Sequence, residues 1–146
     1  MDAKEAQERA AVVAEAKTWL RTPYHHRARV KGAGVDCGQL PIAVYSAIGL
    51  IDDIDPQYVQ DWHLHRSEEK YLELIASTGA REITREEAGP GDFAVWKFGR
   101  TFSHGGILVE PPFVVHSYVG VGVTLDKIDE HELLRTHEAK FFTLWG

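Results

Sequence analysis

The stretch Gly34-Val35-Asp36-Cys37-Gly38-Gln39-Leu40 constrains this chain more than any other, because it holds the only cysteine among 146 residues. One thiol excludes an internal disulfide, so the fold has to be held by a hydrophobic core. A chain of this length can bury one. Gly32 and Gly34 precede the thiol and Gly38 follows it, while Leu40, Val44, Ala47 or Ile48, and Ile51 fall at helical spacing. The pattern is a glycine-rich loop that delivers a thiol to the start of a helix running to about Ile51. Pro41 fixes the register. It has no N–H to give to the carbonyl of Cys37, four residues back, so Cys37 belongs at the first turn or the cap. There the unsatisfied N–H groups and the positive end of the helix dipole favour the thiolate, which is the nucleophilic form. A lone cysteine is otherwise commonly a small buried hydrophobe. The glycine-flanked setting before a helix argues for chemistry instead.

Composition narrows the class of chemistry. A hydrophobic fraction of 44% with 26% charged residues is ordinary for a globular domain, and the net charge of −6 argues against a nucleic-acid partner. Arg27, Arg29 and Lys31 cluster just before the thiol; they form either a solvated loop or a cationic rim for an anionic substrate. Met1-Asp2-Ala3-Lys4-Glu5 continues charged and lacks the apolar core of a signal peptide. No apolar run approaches the roughly 20 residues of a membrane span, so membrane insertion is not expected. Synthesis in the cytoplasm without a signal peptide is the expectation, with any action outside the cell reached by another route.

Taken in order, Asp2 to Leu20 reads as an amphipathic helix with Val12, Ala16 and Trp19 on its inner face and an Asp2/Glu5 capping pair. Thr22 and Pro23 end it, and Tyr24 to Ala33 reads as loop. After the thiol helix, Asp52, Asp53, Asp55 and Pro56 make an acidic turn, and Gln57 to Arg66 reads as irregular. Ser67 to Thr78 is a second amphipathic helix, with Tyr71, Leu74 and Ile75 inward and Gly79 as its stop. From Arg81 the character changes. Ile83 lies in a short extended piece, Thr84 and Glu87 cap one helical turn, and Gly89 to Asp92 form a turn. Strand-like runs follow at Phe93–Lys97, Gly105–Val109, Phe113–Tyr118 and Val121–Leu125, then a short helix within Asp126–Leu134 and a last strand over Lys140–Trp145. Helices first and strands after predict an α+β domain, with the helices packed on one face of an antiparallel sheet.

A thiol nucleophile needs a base, and the base needs an orienting partner. Of the eight histidines, two sit in strands. His104 is followed by Gly105 and Gly106, which let another backbone come close. His116 lies in Val114-Val115-His116-Ser117. A hairpin turning through Glu110 to Pro112 makes the two histidines near neighbours across the ladder, on one face. The sequence therefore permits Cys37, His104 and His116 to meet. Together, the helix start and the imidazole are expected to let Cys37 ionise well below pH 8. His25, His26, His63 and His65 lack the accompanying cysteines or acids of a metal site. His131 and His137 read as surface residues, and Trp19, Trp62, Trp96 and Trp145 as core. No calcium loop or phosphate loop is present.

These residues carry a resemblance. Thr22-Pro23-Tyr24, Val35-Asp36-Cys37-Gly38, Pro90-Gly91-Asp92-Phe93, Ser103-His104-Gly105-Gly106-Ile107 and Val115-His116-Ser117 occur in the order in which the NlpC-type cysteine peptidases carry them. That is a papain-like family that cuts peptidoglycan peptides. The resemblance spans roughly residues 16 to 118. It implies one NlpC-type domain over residues 1–146, no cofactor, and a peptidoglycan stem peptide as substrate. It makes Cys37 the nucleophile, His104 the general base and His116 the third residue, which holds the His104 ring. Tyr24 would set its hydroxyl beside the thiol, Asp36 would orient the loop, and the Cys37 N–H would serve the oxyanion. The family usually has a small residue and then a Gly or Leu after the Cys; Gly38-Gln39-Leu40 departs from that, and Gln39 is expected to reshape the cleft or add a donor. Pro41 is a second departure, expected to kink the helix.

Thr22-Pro23-Tyr24-His25-His26 and the Val30-Lys31-Gly32-Ala33-Gly34 run resemble most the subgroup found in tailed phages and gene-transfer particles. That resemblance implies a tail tip, tail proteins as partners, and carriage to the wall in the particle. A structural tail component that keeps the fold without the chemistry is the alternative. An acyltransferase or deamidase on the same fold is a third reading.

Overall fold

The computed structural model describes residues 1–54 and 70–146. The first helix, α1 (Ala3–Lys17), starts where the sequence predicts: Asp2 is its N-cap and accepts the Glu5 N–H at 2.7 Å. It buries Val12 and Ala16. Residues 24–33 are not all loop. Arg29–Val30 (β1) and Gly34–Val35 (β2) form a two-residue antiparallel ribbon, in which Ala33 N–H bonds back to Val30.

The thiol helix, α2 (Gln39–Ala47), is shorter than its periodicity predicts. Gly49 takes a left-handed φ of 83°, and Leu50 N–H folds back to the Tyr45 carbonyl, so the chain leaves the helix before Ile51. Pro41 is its third residue and does not kink it, because the first turn has no use for the missing N–H. The next helix among the described residues, α3 (Lys70–Ser77), ends as predicted just before Gly79, at φ 86°. The expected irregular stretch around Trp62, His63 and His65, and the predicted helix start at Ser67, lie outside the described residues.

The remaining elements are β3 (Arg81–Ile83), β4 (Phe93–Phe98), β5 (Thr101–Glu110), β6 (Phe113–Tyr118), β7 (Gly122–Lys127), α4 (Glu132–Thr136) and β8 (Ala139–Thr143). The six strands pair antiparallel in the order β3-β8-β4-β5-β6-β7. Thr84 and Glu87 close the expected capping pair, each side chain taking the other's backbone N–H. One sheet face packs on α1, α2 and α3 through Phe93, Val95, Ile107, Val115 and Val123, against Val12, Leu40, Val44, Tyr71 and Ile75. The opposite face carries Trp96, Leu108 and Val114 under Ile128 and Leu134, the latter from α4. The architecture is the predicted α+β arrangement. Trp19, Trp96 and Trp145 are buried, as read from the sequence; Trp62 lies outside the described residues.

Candidate active site

Cys37 sits immediately before the N-cap of α2, Gly38, rather than inside the first turn. The Asp36 side chain builds that junction. One of its carboxylate oxygens accepts the N–H groups of Gly38 and Gln39, at 3.0 and 2.8 Å, and the other accepts Arg27 N–H at 2.9 Å. Asp36 thus caps the helix in place of a residue at Gly38 and ties the preceding loop to it. Pro41 leaves the Cys37 carbonyl without its helical donor, and the buried Tyr71 hydroxyl donates to it instead, at 3.3 Å. Tyr71 reads from sequence only as an inward-facing core residue; nothing local reveals that it steadies the thiol. Gly105 makes room for it. A side chain there would run into the Tyr71 hydroxyl and the Phe93 ring.

The Cys37 sulfur lies 3.5 Å from the Ser103 carbonyl at the head of β5. Cys37, His104 and Tyr24 line one cleft, whose walls include Phe98, Ser117, Tyr118 and Val119. Gln39 does not reach it. That residue is fully buried, and its side-chain amide has no hydrogen-bond partner among the described residues. Two of the three cations before the thiol are paired within the protein. Arg29 pairs with Asp53 at 2.7 Å and Lys31 with Glu15 at 3.0 Å, which ties both to the protein itself.

Behind the cleft, a chain of hydrogen bonds crosses three strands. His116 of β6 faces Gly106 of β5 and Thr124 of β7. The two bonded partners lie diagonally: His104 Nε2 is 2.8 Å from His116 Nδ1, and His116 Nε2 is 2.8 Å from Asp126 Oδ2. Thr124 donates its hydroxyl to the same carboxylate oxygen at 2.7 Å. Period-2 geometry puts all of these side chains on one face, and the glycine opposite His116 keeps the strands close. A Cβ on Gly106 would press on Val114 and on His116 itself.

The bonding pattern fixes the tautomers. Asp126, ionised, can only accept, so His116 carries its proton on Nε2 and offers Nδ1 as acceptor. His104 must then donate from Nε2, leaving Nδ1 as its bare nitrogen. Asp126 and Thr124 were not among the residues singled out by sequence. The Thr124-x-Asp126 alternation on β7 was visible, but the pairing of β7 with His116 was not.

Burial, first, and then electrostatic coupling to His116 and His131, which disfavours a proton here, hold His104 down to about 3. Burial also lowers His116, against the upward pull of Asp126. Burial alone would raise Asp126, but hydrogen bonds from Thr124 and His116 hold it below the usual carboxylate range. The thiol moves the other way from expectation. Burial of the sulfur, then the Asp36 carboxylate, push Cys37 up to about 12, although N–H groups of Gly105 and Cys37 favour the anion. The residue as a whole is only half-buried, but its sulfur points inward at the Ser103 carbonyl. The same carboxylate that builds the helix start cancels the benefit of that start. Resting thiol and imidazole are both neutral near pH 7. Tyr24 is raised by burial and by the Cys37 and Asp36 charges, so its phenol stays protonated.

For a metal, His116, Asp126 and His131 bring one donor atom each to within 4.8 Å of one another. No helix among the described residues is long and apolar enough to cross a membrane.

A thiol just before a helix start and the first imidazole of a histidine chain line one cleft of an α+β fold. Solved structures narrow it to the NlpC/p60 fold. The NlpC/p60 domain of the peptidoglycan hydrolase SagA superposes with a TM-score of 0.61 at 20% identity, over 90% of this chain and 96% of that one. A similar-to-lipoprotein NLP/P60 family protein from Staphylococcus aureus gives 0.63 at 18% identity, over 96% of this chain and 42% of that one. RipD from Mycobacterium tuberculosis, described as a non-catalytic NlpC/p60 domain protein adapted to peptidoglycan binding, gives 0.61 at 12% identity, over 95% and 98%. No protein-family model and no curated protein matches the sequence.

Proposed function

We propose that this protein is a cysteine peptidase or amidase that hydrolyses peptide bonds of peptidoglycan stem peptides. The observation that carries the reading is the single cleft lined by Tyr24, Cys37 and His104, with His104 hydrogen-bonded through His116 to Asp126. As Cys37 attacks the scissile carbonyl, its proton passes to the bare Nδ1 of His104, and the Cys37 N–H stabilises the oxyanion. His104 then gives that proton to the leaving amine. Water, deprotonated by the same nitrogen, resolves the thioester and restores the thiol. Because both groups rest neutral, the proton moves during attack rather than before it. His116 and Asp126 act as positioning residues: they hold the His104 ring with Nδ1 toward the cleft.

The tail-tip role belongs to the same proposal. It rests on the likeness of Thr22-Pro23-Tyr24-His25-His26 and Val30–Gly34 to the particle-borne subgroup, with tail proteins as partners. One observation favours a second reading, a binding or structural domain without chemistry: the raised thiol, together with the non-catalytic RipD on the same fold. Incubating the purified protein with peptidoglycan and identifying released fragments by mass spectrometry decides between them. Peptide fragments that vanish in Cys37→Ala support the peptidase. Binding to the wall without release supports the second reading.

A further inference from the structure

The far end of the histidine chain has the makings of a second site. One ring nitrogen each of His116 and His131 and an Asp126 oxygen lie within 4.8 Å of one another, and His116 Nε2 is the nitrogen turned to Asp126, at 2.8 Å. Two imidazoles and a carboxylate are the donor set of zinc sites that keep a position open for water. A tetrahedral zinc about 2.1 Å from each donor sets the donors about 3.4 Å apart, between the 2.8 Å that now separates His116 Nε2 from Asp126 Oδ2 and the 4.8 Å limit of the cluster.

Two further features point to a ligand and not merely to a surface cluster. Metal-bound histidines almost always have their second ring nitrogen held by another group, and bound carboxylates are themselves hydrogen-bonded. Both supports stand here already. His116 Nδ1 is held by His104 at 2.8 Å, and Asp126 Oδ2 receives the Thr124 hydroxyl at 2.7 Å. His131 is fixed as the N-cap of α4, and its ring meets the His116 ring edge-on, 5.3 Å between centroids. An entry path exists, since the Asp126 side chain is 33% exposed while His116 is wholly buried.

We propose that His116, Asp126 and His131 form a site for a divalent transition metal such as zinc, and that its occupancy switches the cleft off. Without metal, both imidazoles carry their proton on Nε2, and His104 Nδ1 is bare. A metal on His116 Nε2 displaces that proton and takes the carboxylate. The Nε2 proton of His104 then passes to His116 Nδ1, which now donates it back to His104 Nε2. His104, still neutral, takes up the displaced proton on Nδ1, its other ring nitrogen. Each imidazole still carries one proton, so no net proton is released. The nitrogen that should accept the Cys37 proton now carries one and is no longer a base. This effect on turnover rests on the peptidase reading above; the binding itself does not.

The test titrates zinc chloride into the Cys37→Ser protein by isothermal calorimetry, so that the thiol cannot be a ligand. One site with a dissociation constant of about 1 μM or tighter is expected. His131→Asn, which keeps an acceptor at the N-cap of α4, should weaken it about tenfold or more. Fragment release by the His131→Asn protein with an intact thiol should be unchanged without metal and should resist zinc. Wild-type release should stop with zinc and return with EDTA. Absent binding, or binding that His131→Asn leaves intact, overturns the site. If zinc binds and depends on His131 but no fragment release occurs even without metal, the site stands and the peptidase reading falls.

Discussion

The ring of His104 is held by a second imidazole, not by a carboxylate: its Nε2 lies 2.8 Å from Nδ1 of His116, with both rings buried. A carboxylate would carry charge into the sheet. A neutral histidine accepts the same N–H without that cost and passes the charge one residue further out, to Asp126, which is partly exposed.

Substitutions at His116 should grade by what they leave for His104. Asn can still accept the Nε2–H of His104, whereas Ala frees the ring to rotate. We expect His116→Ala to lower kcat for fragment release by roughly 10²-fold or more, and His116→Asn to lose clearly less. Equal losses would mean that His116 acts only through packing.

Asp126→Ala should lower kcat with little change in KM, by about tenfold, because it acts through His116 without touching substrate. The carboxylate raises the basicity of His116 against burial. Its removal should therefore move the acid limb of kcat/KM to lower pH. A purely structural role would cost stability and leave that limb where it was.

Acid should reveal the buried neutral imidazole. The His104 pKa falls from 6.5 in the unfolded chain to about 3 in the fold. Its contribution is then fully present above pH 6.5 and is lost as pH falls toward 3, by about 1.4 kcal/mol per pH unit. Urea unfolding of wild type and His104→Asn between pH 7 and 4.5 should show the gap narrowing at about that slope. A gap independent of pH would mean that the imidazole protonates equally in both states.

Thiol reactivity should follow the raised pKa. With Cys37 pushed up to about 12, alkylation by iodoacetamide should keep climbing well above pH 9 in the free protein, with no plateau near pH 7. A plateau below pH 8 would indicate a standing thiolate–imidazolium pair, contrary to the burial of both groups. Since Cys37 is the only thiol, the measured rate belongs to it alone.

Gly105→Ala should destabilise by about 1–3 kcal/mol, the usual cost of overpacking. The added methyl meets the Tyr71 hydroxyl and the Phe93 ring. Adding Tyr71→Phe should recover part of that loss, because it removes the nearest of the clashing atoms. A double mutant no more stable than Gly105→Ala alone would place the strain at Phe93.

How much of this was legible in the sequence depends on the range of the interaction. Asp2 at the start of α1, the Thr84/Glu87 pair and Gly79 after α3 were readable because each is a contact within a few residues. The α+β class was readable too, since it follows from hydrophobic periodicity changing from helical to alternating at Arg81. That His104 and His116 could meet followed from period-2 geometry and a proline turn between them.

Three features depended on distant packing and were not readable. Asp126 entered the histidine chain only because β7 pairs with β6 in a register that sets Thr124 opposite His116. Tyr71 reached the Cys37 carbonyl only because α3 packs over β5 at Gly105. The sequence by itself determined where the thiol stands: Gly38, Pro41 and the local capping rules put it at the head of a helix. Only the tertiary structure decided its charge, because a pKa is set by desolvation and by charges that folding brings near. Here both work against the helix start that the sequence advertises.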